Sequence, residues 1–281
     1  MNKFERRIPK VSVVIPNWFE KNQHGRYSKN ETIIFAWQCI KRMIECTTNR
    51  GEVEYILIDN GSTVDMEITG YGESVSIWDM ADIVIRNPKN LGFGPACNQA
   101  FGVARGEYIL CVNNDIWVFE NWIEDMLEAF EHIEINPSVG MVMPNLIKSQ
   151  FQKDCLTEKG RLDMNKVMNL KKEDVVLRNV GVYEKGAEFG SCWMMKKELM
   201  DKIKQKDGFI FDEQFLCGMS EDRDLYKRVR LLGFETYRTN LTRVGHIGNL
   251  TISKISDRKQ YTEANREKLK KKWNLIKKIN K

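Results

Sequence analysis

Short apolar runs alternate with amphipathic ones along the first 145 residues, and this alternation restricts the chain to a layered α/β fold. Residues 11–15 read as a buried strand stopped by Pro16, since proline cannot donate to a sheet ladder. Residues 31–46 follow as a helix, with Ile34, Trp37, Cys39, Ile40 and Met43 or Ile44 on a broad apolar face. Residues 55–58 and 81–85 are further strands. Residues 94–104 are a short helix ended by Gly106, and 108–112 a fourth strand. A helix over 121–133 turns Ile123, Met126, Leu127 and Phe130 to one side, and a fifth strand over 140–143 closes at Pro144. Strands separated by helices predict a mostly parallel central sheet with helices on both faces. At 281 residues, 42% of them hydrophobic, the chain can bury one large α/β domain, alone or with a small appendage.

The order then loosens. Residues 148–185 are polar, with scattered apolar positions, and suit either a cover over a site or a partly mobile segment. Residues 187–195 read as extended, and 198–203 as a short helix. A further helix opens at Glu221-Asp222-Arg223-Asp224, carries Leu225, Val229 and Leu232, and ends at Gly233. A late strand is expected over 235–238 and a loop around His246 over 244–249. The expected organisation is a domain over 1–255, with a nucleotide-binding half at about 10–145 and an acceptor half at about 146–255. A basic helical tail occupies 256–281.

The net charge of +5 is concentrated in that tail. Residues 258–281 hold ten Lys or Arg against two Glu, a net +8, which leaves the body at −3. A nucleic-acid-binding body is therefore disfavoured. Leu269, Trp273 and Ile276 share one face of the tail. Two readings stand: a helix packed on the domain, or a basic face on an anionic membrane. The seven cysteines show no C-x-x-C pair and fit reduced core positions, including Cys97, Cys111 and Cys192. This cysteine usage, the charged start of the chain and the lack of any membrane-length apolar run make a cytoplasmic location the expectation, with the inner face of the membrane as a variant.

Chemistry gathers where strands end. Tyr108-Ile109-Leu110-Cys111-Val112 runs into Asn113-Asn114-Asp115, placing two amides and a carboxylate at a rim. In α/β proteins the carboxyl ends of parallel strands are where ligands bind. The first strand ends in Pro16-Asn17-Trp18-Phe19-Glu20 and the second in Asp59-Asn60-Gly61-Ser62. Between them in space falls the stretch from Asn87 to Asn98, which includes Asn90, Gly92 and Gly94. Asp59 can accept from a pyrimidine base or a ribose hydroxyl, or simply form an Asx-turn. Gly92 and Gly94 allow close backbone approach, or serve a tight turn. Asn98 can reach the ribose or orient the loop. Gly92-x-Gly94 is a poor dinucleotide fingerprint, because Cys97 stands at the third glycine position.

The second acidic centre is Glu221-Asp222-x-Asp224. Glu221 and Asp224, at i and i+3, share a helical face and Asp222 projects elsewhere. Three acids at a helix start can be capping, or one of them can take a proton from an acceptor hydroxyl. Among the histidines, His24 lies in a loop and His132 at a polar helix end, while His246, beside two glycines, can reach a metal or phosphate. No G-x-S-x-G elbow is present for serine chemistry.

Together these segments resemble the inverting family 2 glycosyltransferases with the nucleotide-diphospho-sugar transferase (GT-A) fold, in particular the rhamnosyltransferase-like branch that builds O-antigens and capsules. The likeness rests on Val11-Ser12-Val13-Val14-Ile15-Pro16, on Asp59-Asn60-Gly61-Ser62, on Asn87-x-x-Asn90-Leu91-Gly92-Phe93-Gly94-x-Ala96-x-Asn98, and on Ala104-Arg105-Gly106. It continues through Asn113-Asn114-Asp115, which stands at the family's D-x-D position, and through Phe211-Asp212-Glu213 with Glu221-Asp222-x-Asp224-Leu225. Asn113 replaces the first Asp of D-x-D, and the loop over residues 20–30 is longer than usual.

The resemblance implies a UDP- or dTDP-sugar donor held by Pro16, Trp18, Glu20 and Asp59 on one side. Asn90, Gly92, Asn98, Asn113, Asn114 and Asp115 hold it on the other. It implies Mg2+ or Mn2+ at Asp115 and His246, Asp222 as the catalytic base with Glu221 beside it, and a carbohydrate or lipid-linked acceptor. Trp193 is expected to form an acceptor wall, unless it is an interior residue. The alternatives are a nucleotide- or carbohydrate-binding protein without turnover, a transferase acting on modified nucleic acid, and a nucleotidyltransferase on the same fold, disfavoured because Trp18, Phe19 and Glu20 stand where it needs a glycine- and Arg/Lys-rich loop.

Overall fold

In the computed structural model of the chain, the described residues are 8–20, 29–64, 67–70, 73–133, 138–147, 155, 163–171, 183–186, 188, 190–248 and 257–279. Strand β1 (Val11–Asn17) is followed by α1 (Lys29–Glu45), β2 (Val53–Asp59), and a hairpin of β3 (Glu67–Gly70) and β4 (Glu73–Ser76). Then come β5 (Ile83–Arg86), α2 (Phe93–Val103), β6 (Tyr108–Val112), β7 (Ile116–Trp117), α3 (Trp122–Ile133) and β8 (Val139–Ile147). The second part contributes α4 (Met164–Met168), β9 (Tyr183–Lys185), β10 (Cys192–Lys196), α5 (Lys197–Asp207), α6 (Glu221–Leu231), β11 (Glu235–His246) and α7 (Arg258–Ile279).

The main sheet has the order β5-β2-β1-β6-β10-β8-β11-β7, with β9 beside β11. Strands β5, β2, β1 and β6 are parallel, β10 runs antiparallel to both β6 and β8, and β11 runs parallel to β8. The sheet is thus mixed, and the expected parallel half is its β5-β2-β1-β6 portion. Following these directions, the carboxyl ends of β1, β2, β6, β8 and β11 and the amino end of β10 all reach one edge. That edge carries the candidate site.

Side-chain alternation along each strand builds two cores. From β1, Val11, Val13 and Ile15 face α1 and α3, while Val14 faces the other layer. The same split sends Tyr108, Leu110 and Val112 of β6 one way and Ile109 and Cys111 the other. Phe35, Trp117, Trp122 and Phe130 fill the first core, and Phe101, Trp193, Phe211 and Tyr226 fill the second. Burial of each such side chain contributes about 1.5–3 kcal/mol. Of the seven cysteines, Cys217 alone is not buried, and all seven are free thiols. Burial raises the thiol pKa of Cys39, Cys97 and Cys192, the behaviour of packing residues rather than nucleophiles.

Three local expectations are corrected. Strand β8 does not close at Pro144 but runs to Ile147, because its partner β11 shifts register between Thr239 and Arg243, beside that proline. The late strand and the loop around His246 are one strand, since β11 continues to His246 with β8 on one side and β7 on the other. Trp193 is an interior residue, fully buried and packed edge-on against Phe211 with ring centroids 6.0 Å apart. No acceptor wall is made from it. The expected loop with His24 and most of 148–185 lie outside the described residues.

Candidate active site

The ends of β1, β2 and β6 are joined through Asn17, by its backbone to β2 and by its side chain to the turn after β6. The backbone N–H of Asn60 donates to the Asn17 carbonyl at 2.8 Å, and Asn114 Nδ2 donates to Asn17 Oδ1 at 3.0 Å. Asn60, buried at the end of β2, then serves four partners. Its Nδ2 donates to Asn90 Oδ1 (2.9 Å) and to the Gly92 carbonyl (3.1 Å). Its Oδ1 accepts from Asn87 Nδ2 (3.0 Å) and from the Leu91 N–H (3.1 Å). Asn90 Oδ1 also accepts from the Gly92 N–H at 2.8 Å. The loop over 87–92 is therefore fixed to the turn after β2. Gly61 completes that junction: at φ +76° it lies against the backbone of Lys89 and Asn90, where a Cβ would overlap.

Asp59 Oδ1 accepts from the Ser62 N–H at 2.9 Å, which is the Asx-turn geometry, with the residue half-buried at the rim. Ser62 Oγ accepts from the Phe19 N–H at 3.0 Å, so the strand end bearing Trp18 and Glu20 is tied to the same turn. Pro16, Trp18 and Glu20 are each half-buried there. Gly92, at φ +94°, opens α2 without a side-chain cap, which leaves the first backbone N–H groups of the helix to other acceptors. Asn98 donates to the Phe211 carbonyl (2.8 Å) and to Glu213 (2.9 Å), and accepts from the Phe211 N–H (2.9 Å).

After β6, the turn Asn113–Ile116 places Asp115 against the end of β11, where Ile116 pairs with His246. His246 Nε2 lies 3.1 Å from Asp115 Oδ1, and both side chains are buried. Burial works against the Asp115 carboxylate, but the adjacent imidazole overrides it and lowers its pKa. Asn113 Oδ1 is buried with no hydrogen-bond partner among the described residues. One carboxylate oxygen and one imidazole nitrogen form a two-donor set of the kind that takes part in holding a divalent cation. Among the described residues no cluster of three His, Cys, Asp or Glu is disposed to hold a metal.

The other acidic centre lies across the lead-in to β10. Ser191 accepts from the Asn113 N–H at 2.8 Å, and a Cβ on Gly190 would overlap the Asp222 carboxylate. The Gly190–Ser191 backbone thus separates the two centres. Glu221 and Asp224 are buried and Asp222 is half-buried, as their spacing implied. Burial raises the Asp222 pKa, opposed by a hydrogen bond from the Arg223 N–H and by the Arg223 charge. Burial and then the charge of Asp222 raise that of Glu221 further. Asp224 is not a helix cap. It pairs with Arg228 at 2.8 Å and, from α7, receives Lys272 and the Trp273 indole N–H.

The site therefore depends on residues that motif reading did not single out. Asn60 and Asn17 were legible only as members of strand-end turns. Their signal was the density of asparagine at these ends, since a buried amide carries both donors and acceptors and can bridge several backbones.

The family model described as Glycosyl transferase family 2 matches residues 27–204, more than half of the chain. Over 133 residues the chain is 28% identical to Glycosyltransferase GlyG of Streptococcus pneumoniae serotype 4, covering 46% of this chain and 38% of that protein. The chain thus spans well under half the length of that relative. Its fold is similar to the crystal structure of GalNAc-T7 with UDP, GalNAc and Mn2+ (TM-score 0.54, 16% identity, 86% of this chain and 44% of that one). It is also similar to that of S. aureus TarS (TM-score 0.50, 13% identity, 82% and 36%). At these identities the likeness speaks for the fold, and the α/β architecture with a central mixed sheet is that of the GT-A type.

Proposed function

The chain belongs to glycosyl transferase family 2, and on that premise we propose that it moves a sugar from a nucleotide-diphospho-sugar to an acceptor hydroxyl. One observation carries this reading. Two carboxylates at a single sheet edge are pushed in opposite directions, Asp115 downward beside His246 and Asp222 upward by burial. Carboxylates whose environments separate their pKa values take different roles.

Asp115 and His246 would hold a divalent cation together with the donor diphosphate. When bound, that cation offsets the charge that gathers on the leaving diphosphate. The loop pinned by Asn60, with Asn90 and Gly92, lines the donor side, and Asp59 presents acceptor groups to the base or ribose. Uracil and thymine offer the same N3–H edge, so UDP- and dTDP-sugars are both in scope. A UDP-sugar with Mn2+ is the first pair to try, since the similar GalNAc-T7 structure holds UDP and Mn2+.

On the acceptor side, Asp222 takes the hydroxyl proton as the acceptor oxygen bonds to the anomeric carbon. The bond from that carbon to the diphosphate breaks, and a nucleoside diphosphate leaves. A single base without a carboxylate nucleophile gives inversion at that carbon. The acceptor we infer is a carbohydrate or a lipid-linked sugar in surface-polysaccharide assembly of the O-antigen and capsule kind. The protein would then work in the cytoplasm, with exposed Lys270 and Lys271 of α7 available to an anionic membrane surface.

The test is a panel of UDP- and dTDP-sugars with Mn2+, assayed for binding, hydrolysis and transfer by the wild type, Asp115→Ala and Asp222→Ala. Loss of transfer in both variants is expected. Transfer that survives both substitutions, or no binding of any donor by the wild type, overturns the proposal.

A further inference from the structure

The segment 211–220 delivers Glu221 and Asp222 to the site edge, and its backbone is an unfavourable one. Cys217 has φ +60° and Ser220 φ +83°, on either side of Gly218 at φ +70°. Non-glycine residues enter the left-handed region at a cost and stay there only when the surroundings fix them. On the donor side, Asn98 holds Phe211. On the opposite side the segment is held by α7.

That contact is polar and detailed. Asn265, fully buried, donates to the carbonyls of Leu216 (2.7 Å) and Met219 (2.8 Å) and accepts from the Leu216 N–H (3.2 Å). Lys268 donates to the Gln214 carbonyl at 2.7 Å. Lys272 spans Asp212 (2.7 Å) and Asp224 (2.9 Å), the acids before and after the turn. Trp273 Nε1 donates to Asp224 at 3.0 Å, and its ring closes over Phe215 with Leu269. A helix that only covered apolar surface would need Leu269, Trp273 and Ile276 and nothing more. Here the helix also satisfies the backbone of the turn at Gln214, Leu216 and Met219.

We propose that α7 is a positioning element for the acceptor half of the site, in which Asn265 and Lys272 hold the 212–222 segment so that Asp222 meets the acceptor. The dependence on transfer rests on the glycosyltransferase reading above. It places function in residues beyond 204, where the family match ends. It also gives the basic tail an internal role, because Lys272 is committed to two carboxylates and is not a surface charge.

The test uses the full chain carrying Lys272→Met, Lys272→Arg, Asn265→Ala and Trp273→Phe, each checked for folding by thermal melting. Lys272→Met and Asn265→Ala should lower kcat about 10–100-fold while nucleotide affinity stays within about twofold, because a misplacement of the base on the order of 1 Å is enough. Lys272→Arg, which can still bridge two carboxylates, should recover most of the rate. Hydrogen exchange of the 212–222 amides should speed up in Lys272→Met and not in Lys272→Arg. Should Lys272→Met and Asn265→Ala fail to fold, Trp273→Phe decides by the same split between kcat and nucleotide affinity. An unchanged kcat in folded variants, or equal losses of kcat and nucleotide affinity, overturns the positioning role. A wild type that transfers no sugar sinks the glycosyltransferase reading instead, and exchange at 212–222 then decides whether α7 holds the segment.

Discussion

His246 Nε2 stands 3.1 Å from Asp115 Oδ1, although 131 positions separate the two residues in the chain. The contact exists because the turn after β6 and the end of β11 meet through the short strand β7. If this pair holds a cation on a diphosphate, it supplies several kcal/mol of charge stabilisation. Asp115→Ala should therefore lower transfer about 100-fold or more. Calorimetry should also show that Mn2+ no longer tightens nucleotide binding in Asp115→Ala or His246→Ala. The pH dependence of stability has a definite sign. The folded pKa of Asp115 is lowered, so its contribution is present above the ordinary Asp value of about 3.9 and is lost as pH falls through the folded value. In melting curves, the stability difference between wild type and Asp115→Asn should therefore shift against the wild type as pH falls into the acid range.

Asp222 gives the complementary kinetic prediction. Asp222→Asn should reduce kcat about 10²–10⁴-fold, the usual range for loss of a general base, and leave nucleotide affinity in place. Its pKa is raised by burial. The acid limb of the wild-type kcat profile should then lie above the value of about 3.9 expected for an unperturbed Asp. An acid limb at or below that value would remove Asp222 from the role.

The difference between these two centres in the sequence explains what was legible. Asp59 and Asn113-Asn114-Asp115 follow apolar strands, and in a parallel sheet such strands end at one edge, so local pattern was enough to group them. Glu221 and Asp224 sharing one face followed from helical spacing alone. Trp193 was not readable, because β10 is buried on both faces and an aromatic residue within an apolar run has no local mark of which way it points. The two-residue strand β7 and the continuation of β11 to His246 were likewise hidden, as each is defined by its partners rather than by its own composition. The contact of Lys272 with Asp224 joins residues 48 positions apart. In the sequence that lysine is indistinguishable from its exposed neighbours Lys270 and Lys271.

The junction between the turn after β2 and the loop over 87–92 should be sensitive to a single methyl group. Gly61→Ala forces a Cβ into the Lys89 and Asn90 backbone at φ +76°, and should destabilise by about 1–3 kcal/mol. Asn60→Ala removes four hydrogen bonds and leaves several partners unsatisfied, a loss of about the same size. Both substitutions should weaken nucleotide binding more than they affect kcat at saturating donor. Chemical denaturation paired with nucleotide titration measures the two effects side by side, and unimpaired nucleotide binding by both variants would remove the loop from the donor site.

Glu221 should reveal itself as a pH-dependent burden on stability. Burial, then the charge of Asp222, raises its folded pKa well above the ordinary value. A carboxyl with a raised folded pKa binds its proton more tightly in the folded state. Its contribution is complete below the unfolded value of about 4.3 and is lost as pH rises through the folded value. Glu221→Gln stays neutral at every pH and escapes that loss, at the constant cost of placing an amide where Glu221 Oε2 has no partner among the described residues. The difference in Tm, variant minus wild type, should therefore climb as pH is raised from about 4 to about 8, whatever its absolute level. A flat difference across that range would mean that the folded protein holds the Glu221 proton no more tightly than the unfolded chain does.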